Sequence, residues 1–141
     1  MPARTASAEW TGNLMEGKGR ISVQSKTFDA PYDFRARTGD GKGTNPEELI
    51  GAAHAGCFAM QLSAMLGAAG FTPNRLSVTA KVHLEKQDGG FVIPSIELEL
   101  EGEVPGLDAA GLKEHAEKAK VSCPVSKALA GMQISLVVKG A

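Results

Sequence analysis

The chain lacks most of what a nucleic-acid or membrane-surface partner would select. Aromatic residues make up 5% of its 141 positions, with one Trp, one Tyr and five Phe, too few for a base-stacking platform. Fifteen Lys and Arg stand against sixteen Asp and Glu, a formal net charge of -1. No basic patch or charge block breaks that balance, so neither nucleic acid nor a membrane surface is an expected partner. Cysteine occurs twice, which excludes a disulfide framework. The opening stretch M-P-A-R-T-A-S-A-E-W has no apolar signal-peptide core, so a cytoplasmic setting is expected. There a cysteine pair is more often catalytic, redox-active or metal-binding than a permanent staple. No internal repeat, linker or low-complexity tract is visible, and the length fits one domain over residues 1–141.

One uncharged run is long. Leu49 to Phe71 spans about 23 residues without a charge, enough to cross a bilayer by length alone. Nearly half of it is Ala and Gly, it holds His54, Gln61 and Ser63, and it lacks flanking Lys/Arg bias. The expectation is a helix buried inside a protein.

Its start is well marked. Asn45 suits the N-cap, Pro46 the first helical position, and Glu48 can close a capping box. The helix is predicted to run to Ala69 and stop at Gly70. Upstream, strands are predicted over 6–13, 19–28 and 31–38. In the last, Tyr32, Phe34 and Ala36 alternate with Asp33, Arg35 and Arg37. A glycine-rich loop, G-D-G-K-G-T, follows. It is not a phosphate-binding loop, since position 36 is Ala and Lys42 is followed by Gly43.

Downstream, residues 75–86 and 91–101 alternate as strands, with a hairpin turn at Gln87-Asp88-Gly89-Gly90. Residues 107–120 fit an amphipathic helix with Leu107, Leu112, Ala116 and Ala119 inward. A short helix is predicted from Cys123-Pro124 to Gly131, then a closing strand over 132–139. Runs of strands around one long helix predict an α+β fold with antiparallel sheet. Within the long helix Gly51, Ala55 and Ala59 recur every four residues, and Ala52 and Gly56 form a neighbouring row. Small residues at this spacing permit either a helix lying flat on a sheet or close helix packing against a second copy. A helix apolar nearly all round favours the second, a homodimer.

The two cysteines stand about 66 residues apart. Cys57 lies in the long helix, where a free cysteine can be a small buried hydrophobe. Cys123 precedes Pro124 at a helix start, where unpaired N–H groups favour thiolate. Together they suggest a redox couple. A thiol needs a cation to become a good nucleophile, and Arg35 and Arg37 are candidates, with Glu47 or Glu48 as the carboxylate that holds one of them. Glu47 and Cys57 are ten positions apart, ~15 Å along a straight helix. If both serve one site, either two subunits contribute or the helix breaks. The competing reading is a zinc set from His54, Cys57, Cys123 and either His83 or His115, although the spacings match no compact zinc motif.

The stretches G-T-N-P-E-E-L-I-G-A-A-H-A-G-C-F and S-C-P-V-S-K-A-L, with A-E-W-T-G near the start, closely resemble the two cysteine motifs of the OsmC/Ohr family. The likeness spans essentially the whole chain, and A-A-H-A-G-C resembles the OsmC branch. It implies antiparallel sheets wrapped around long central helices in an intertwined homodimer. It also implies a cytoplasmic, thiol-dependent peroxidase that reduces organic hydroperoxides and, less well, hydrogen peroxide. By the same likeness Cys57 is the peroxidatic cysteine and Cys123 the resolving one. Glu47 is the carboxylate that orients a catalytic arginine. Arg37 matches that arginine best, with Arg35 and Arg20 as alternatives. The implied partners are an organic hydroperoxide and a dithiol reductant of lipoyl type, with no metal or organic cofactor. A reading of another class keeps the same scaffold as a non-enzymatic redox sensor or small-ligand carrier.

Overall fold

A computed structural model describes residues 1–140. They form an α+β protein that divides into two compact units, Met1–Leu49 and a second beginning at Ile50.

The first unit holds an antiparallel sheet of three strands in the order β1-β2-β3: β1 (Ala6–Thr11), β2 (Lys18–Val23) and β3 (Asp29–Tyr32). Gly19 pairs with both Trp10 and Tyr32. The two aromatic rings close over it, their centroids 5.5 Å apart, and leave no room for a side chain there. The strand predicted over 31–38 is replaced. β3 ends at Tyr32, and α1 (Phe34–Thr38) follows. Asp33 caps it, its carboxylate accepting from the Ala36 N–H at 2.8 Å. Arg35 and Arg37 therefore stand on a helical turn, not on the polar face of a strand.

The glycine loop returns the chain to α2 (Pro46–Ala68). Gly43 sits there at φ +105°, against the Pro31 carbonyl, a conformation that favours glycine. Asn45 caps α2, its Oδ1 accepting from the Glu48 N–H at 2.8 Å. Glu48 does not complete a capping box. Its carboxylate accepts from the Thr44 hydroxyl at 3.1 Å instead. The other end closes as a Schellman motif. Gly70 is at φ +93°, its N–H reaching the Gly67 carbonyl and that of Phe71 the Leu66 carbonyl.

The second unit carries the main sheet, in the order β4-β7-β8: β4 (Arg75–Val82), β7 (Ser95–Glu103) and β8 (Gln133–Gly140). The β4–β7 pairing is antiparallel, as expected, while β8 joins β7 in parallel. The predicted hairpin forms as a separate ribbon, β5 (Glu85–Gln87) with β6 (Gly90–Val92), turning through Gly89 at φ +83°. Pro94, which has no N–H to donate, separates the ribbon from β7.

The pleat of β7 sorts its side chains cleanly. Ile96, Leu98 and Leu100 are fully buried, whereas Glu97 and Glu99 pair across the outer face with His83, Lys81 and Lys139. The inner face is covered by two helices. Phe58, Leu62 and Leu66 of α2 meet Leu112, Ala116 and Ala119 of α3 (Ala109–Ser122) in one buried cluster that also takes in Cys123. Asp108 caps α3 through the Gly111 N–H. α4 (Pro124–Ala128) follows after one residue, so Cys123 ends α3 and begins α4.

By length and hydropathy α2 could cross a membrane. Its stripe of His54, Phe58, Leu62 and Leu66 is instead core. The two small-residue rows separate. Gly51 is buried, where an added Cβ would meet Ala80 and Val82 of β4. Ala52 and Gly56, with Met60, Ala64 and Gly67, lie exposed on the other side of the helix.

Candidate functional site

Chemistry-bearing side chains gather in two groups, one in each unit. In the first unit Arg37, in the last turn of α1, meets Glu47, in the first turn of α2. The guanidinium donates from Nε to both carboxylate oxygens, at 2.9 and 3.2 Å, and from Nη2 to Oε1 at 2.8 Å. Two donors meeting one carboxylate fix the plane of the guanidinium as well as its position. Glu47 is 7% exposed, so its charge is held by this partner. Asn45 braces the arrangement, its Nδ2 donating to the Ala36 carbonyl at 2.9 Å. Arg37 also borders a cleft of about 260 Å³ walled by Trp10, Leu14, Tyr32, Asp33, Phe34 and Pro46. A mostly apolar cleft with an oriented guanidinium and the Asp33 carboxylate at its edge suits a molecule with an apolar body and a polar end.

The other arginines are placed differently. Arg20 pairs with Asp29 on the exposed part of the sheet. Arg35 forms no ion pair among the described residues. Of the two glutamates after Asn45-Pro46, Glu47 takes the arginine and Glu48 the Thr44 hydroxyl.

In the second unit Cys57 and Cys123 are both free thiols, with sulfurs 2.9 Å apart in a hydrogen bond. A disulfide needs ~2.05 Å, so the pair needs little motion to join. Access is unequal. Cys57 is half-buried, whereas Cys123 is fully buried. Their electrostatics differ too. Burial pushes the Cys57 thiol up, and the Cys123 hydrogen bond adds to this; the Val125 N–H opposes both. Burial also acts upward on Cys123. The hydrogen bond with Cys57 and the polar groups of Ser126 and Val125 outweigh it and bring this thiol below its usual value. Burial therefore dominates at Cys57, and the local donors at Cys123. The sulfur does not cap α4 through a hydrogen bond of its own; the surrounding donors act on its charge.

His54 is a hydrogen-bonded core histidine, its Nε2 2.7 Å from the Ser126 hydroxyl. Burial lowers its basicity, so the ring is neutral near pH 7. The other two histidines are held elsewhere, His83 beside Glu97 and His115 against the Gly111 carbonyl. Among the described residues no three His, Cys, Asp or Glu side chains gather as a metal site. Ser126 and the walls of the Arg37 cleft were not singled out from the sequence. The serine's position in S-C-P-V-S-K, three residues past Cys123, is the signal that could have drawn attention to it.

A family model described as OsmC-like protein matches residues 39–137. The chain belongs to the OsmC family. It is 50% identical over 127 residues to the Peroxiredoxin OsmC of Escherichia coli (strain K12), covering 89% of each chain. To the Organic hydroperoxide resistance protein of Xanthomonas axonopodis pv. citri (strain 306) it is 35% identical over 130 residues, 90% of this chain and 87% of that one. Among solved structures, the organic hydroperoxide resistance protein OhrB of Bacillus subtilis superposes with a TM-score of 0.76 at 28% identity. That match covers 96% of this chain and 98% of that one. This OsmC-family chain thus shares its fold with a solved organic hydroperoxide resistance protein, and its two cysteines lie inside the region matched by the family model.

Proposed function

We propose that this chain is a thiol-dependent peroxidase that reduces organic hydroperoxides to alcohols. The observation that carries the reading is the unequal thiol pair, a half-buried Cys57 whose sulfur lies 2.9 Å from that of a fully buried Cys123. A peroxide must reach the sulfur that attacks it, and a resolving thiol must only reach its partner. Two relatives' names, a peroxiredoxin and an organic hydroperoxide resistance protein, support a peroxidase-type role.

The reaction runs in three steps. The Cys57 thiolate attacks the terminal peroxide oxygen, the O–O bond breaks, and the alkoxide takes a proton and leaves as the alcohol. Cys57 is now a sulfenic acid. Cys123 attacks that sulfur, the S–O bond breaks as the S–S bond forms, and water leaves. An external dithiol, of lipoyl type by family likeness, restores both thiols by exchange.

The first step needs the negative charge on Cys57, whose thiol burial pushes up. A cation at Cys57 corrects this. Arg37, oriented by Glu47, is that cation in this proposal, supplied across a homodimer by the other subunit. The exposed row of small residues on α2 supports such an assembly. The mostly apolar cleft beside Arg37 suits the hydrocarbon part of a hydroperoxide.

One equivalent of cumene hydroperoxide tests the chemistry. Intact-mass spectrometry should find the protein lighter by two hydrogens, with a Cys57–Cys123 crosslink in the digest. Unchanged mass with the peroxide left intact would refute the reading.

A further inference from the structure

The peroxidase reading uses four side chains and leaves one buried polar pair without a task. His54 is fully buried, and Ser126, which it contacts, is 4% exposed. His54 lies three residues before Cys57 on α2, and Ser126 three residues after Cys123 on α4. Their 2.7 Å hydrogen bond and the 2.9 Å contact of the two sulfurs are two rungs between α2 and α4, one helical turn apart on each helix, so the Ser126 hydroxyl stands beside Cys123, where it favours the thiolate.

A second observation sets the direction of this bond. The Nδ1 atom of His54 is buried and has no hydrogen-bond partner. A buried N–H without an acceptor is the rarer and costlier defect, compared with an unmatched lone pair. Nδ1 therefore carries the lone pair and Nε2 the hydrogen. Nε2–H donates to Ser126 Oγ, which leaves the serine hydrogen free to turn to the sulfur.

We propose that His54 and Ser126 are positioning residues for the resolving thiol: His54 holds the Ser126 oxygen, and the Ser126 O–H donates to the Cys123 thiolate. The use of this chain in catalysis rests on the peroxidase reading; its geometry does not. In the resolving step the Cys123 thiolate attacks the Cys57 sulfenic sulfur. The S–S bond forms as the S–O bond breaks, and the departing hydroxide takes a proton from solvent to become water. Cys123 is oxidised and Cys57 reduced to the disulfide level. The same donor then steadies the Cys123 thiolate when an external dithiol opens the disulfide.

The test reads Cys123 alone. Cys57→Ala leaves it the single thiol, and thiolate absorbance in the ultraviolet follows its ionisation. In that background Ser126→Ala, which removes only an oxygen, should raise the titration midpoint by about one pH unit, the weight of a hydrogen bond to a charged group. His54→Leu should raise it as well. His54→Gln keeps an N–H donor near the Nε2 position and should leave the midpoint close to the parent's. A Ser126→Ala midpoint equal to the parent's would overturn the proposal, as would equal shifts from His54→Gln and His54→Leu. No peroxide enters the titration. If these shifts hold while the wild type fails to consume hydroperoxide, the peroxidase reading falls and the donor chain stands.

Discussion

Arg37 and Lys at the same position carry the same charge but not the same shape. The forked contact with Glu47 depends on two donors in one plane. Arg37→Lys is therefore expected to slow the reaction of Cys57 with hydroperoxide by about a hundredfold, the scale on which a lost, oriented transition-state donor is felt. Glu47→Gln should act in the same direction by releasing the guanidinium. Stopped-flow loss of thiol under excess cumene hydroperoxide measures both. Cys123→Ser should still react once, after which Cys57 proceeds to sulfinic acid, visible as added oxygen in the intact mass. His54 makes a separate prediction about pH. Burial lowers its pKa in the folded state, so the unfolded chain binds more protons as the pH falls below about 6.5. Stability from this residue is constant above that pH and declines below it. Urea unfolding at pH 7.5 and 5.5 should show a smaller acid loss for His54→Gln than for the wild type.

At the scale of elements, α2 and the loop before it decide the local order. Leu62 is fully buried between β7 and α3, and Leu62→Ala should cost about 2–5 kcal/mol by denaturant titration. Gly43→Ala should cost about 1–3 kcal/mol for the positive φ alone, and should also misalign α1 with α2, where Arg37 and Glu47 meet. The long elements were legible because their patterns repeat. Asn45-Pro46 marked the start of α2 and Gly70 its end. Alternation through Val78, Ala80, Leu98 and Leu100 marked the β4–β7 pairing. The failure at 31–38 has a physical cause. Tyr32, Phe34 and Ala36 fit a period of two, yet five residues are too few to distinguish that from one helical turn. The deciding signal was Asp33, which caps α1 through the Ala36 N–H. The parallel pairing of β8 left no trace in its own residues, since β8 is placed by the helices that precede it. The contact between His54 and Ser126 joins positions 72 apart, and no local pattern encodes such a meeting.

For the whole molecule, the account requires a dimer, because the thiol pair needs a cation that the proposal takes from a second subunit. Light scattering should return twice the 14.7 kDa chain mass. Gly56 lies on the exposed row of α2, where an added Cβ meets nothing within 4 Å. Gly56→Leu should therefore leave the fold of one chain intact, return the monomer mass, and lose peroxidase activity with the dimer. A fully active monomer would remove the second subunit from the site.

Turnover itself is the most direct test. Purified wild type and Cys57→Ser are each supplied with cumene hydroperoxide and excess dihydrolipoamide, and the peroxide remaining is followed in time. The account predicts many turnovers per chain in the wild type and none in the variant. Equal rates in both would contradict Cys57 as the nucleophile, and no turnover in the wild type would contradict the peroxidase and leave a single-use redox sensor or a carrier on the same scaffold.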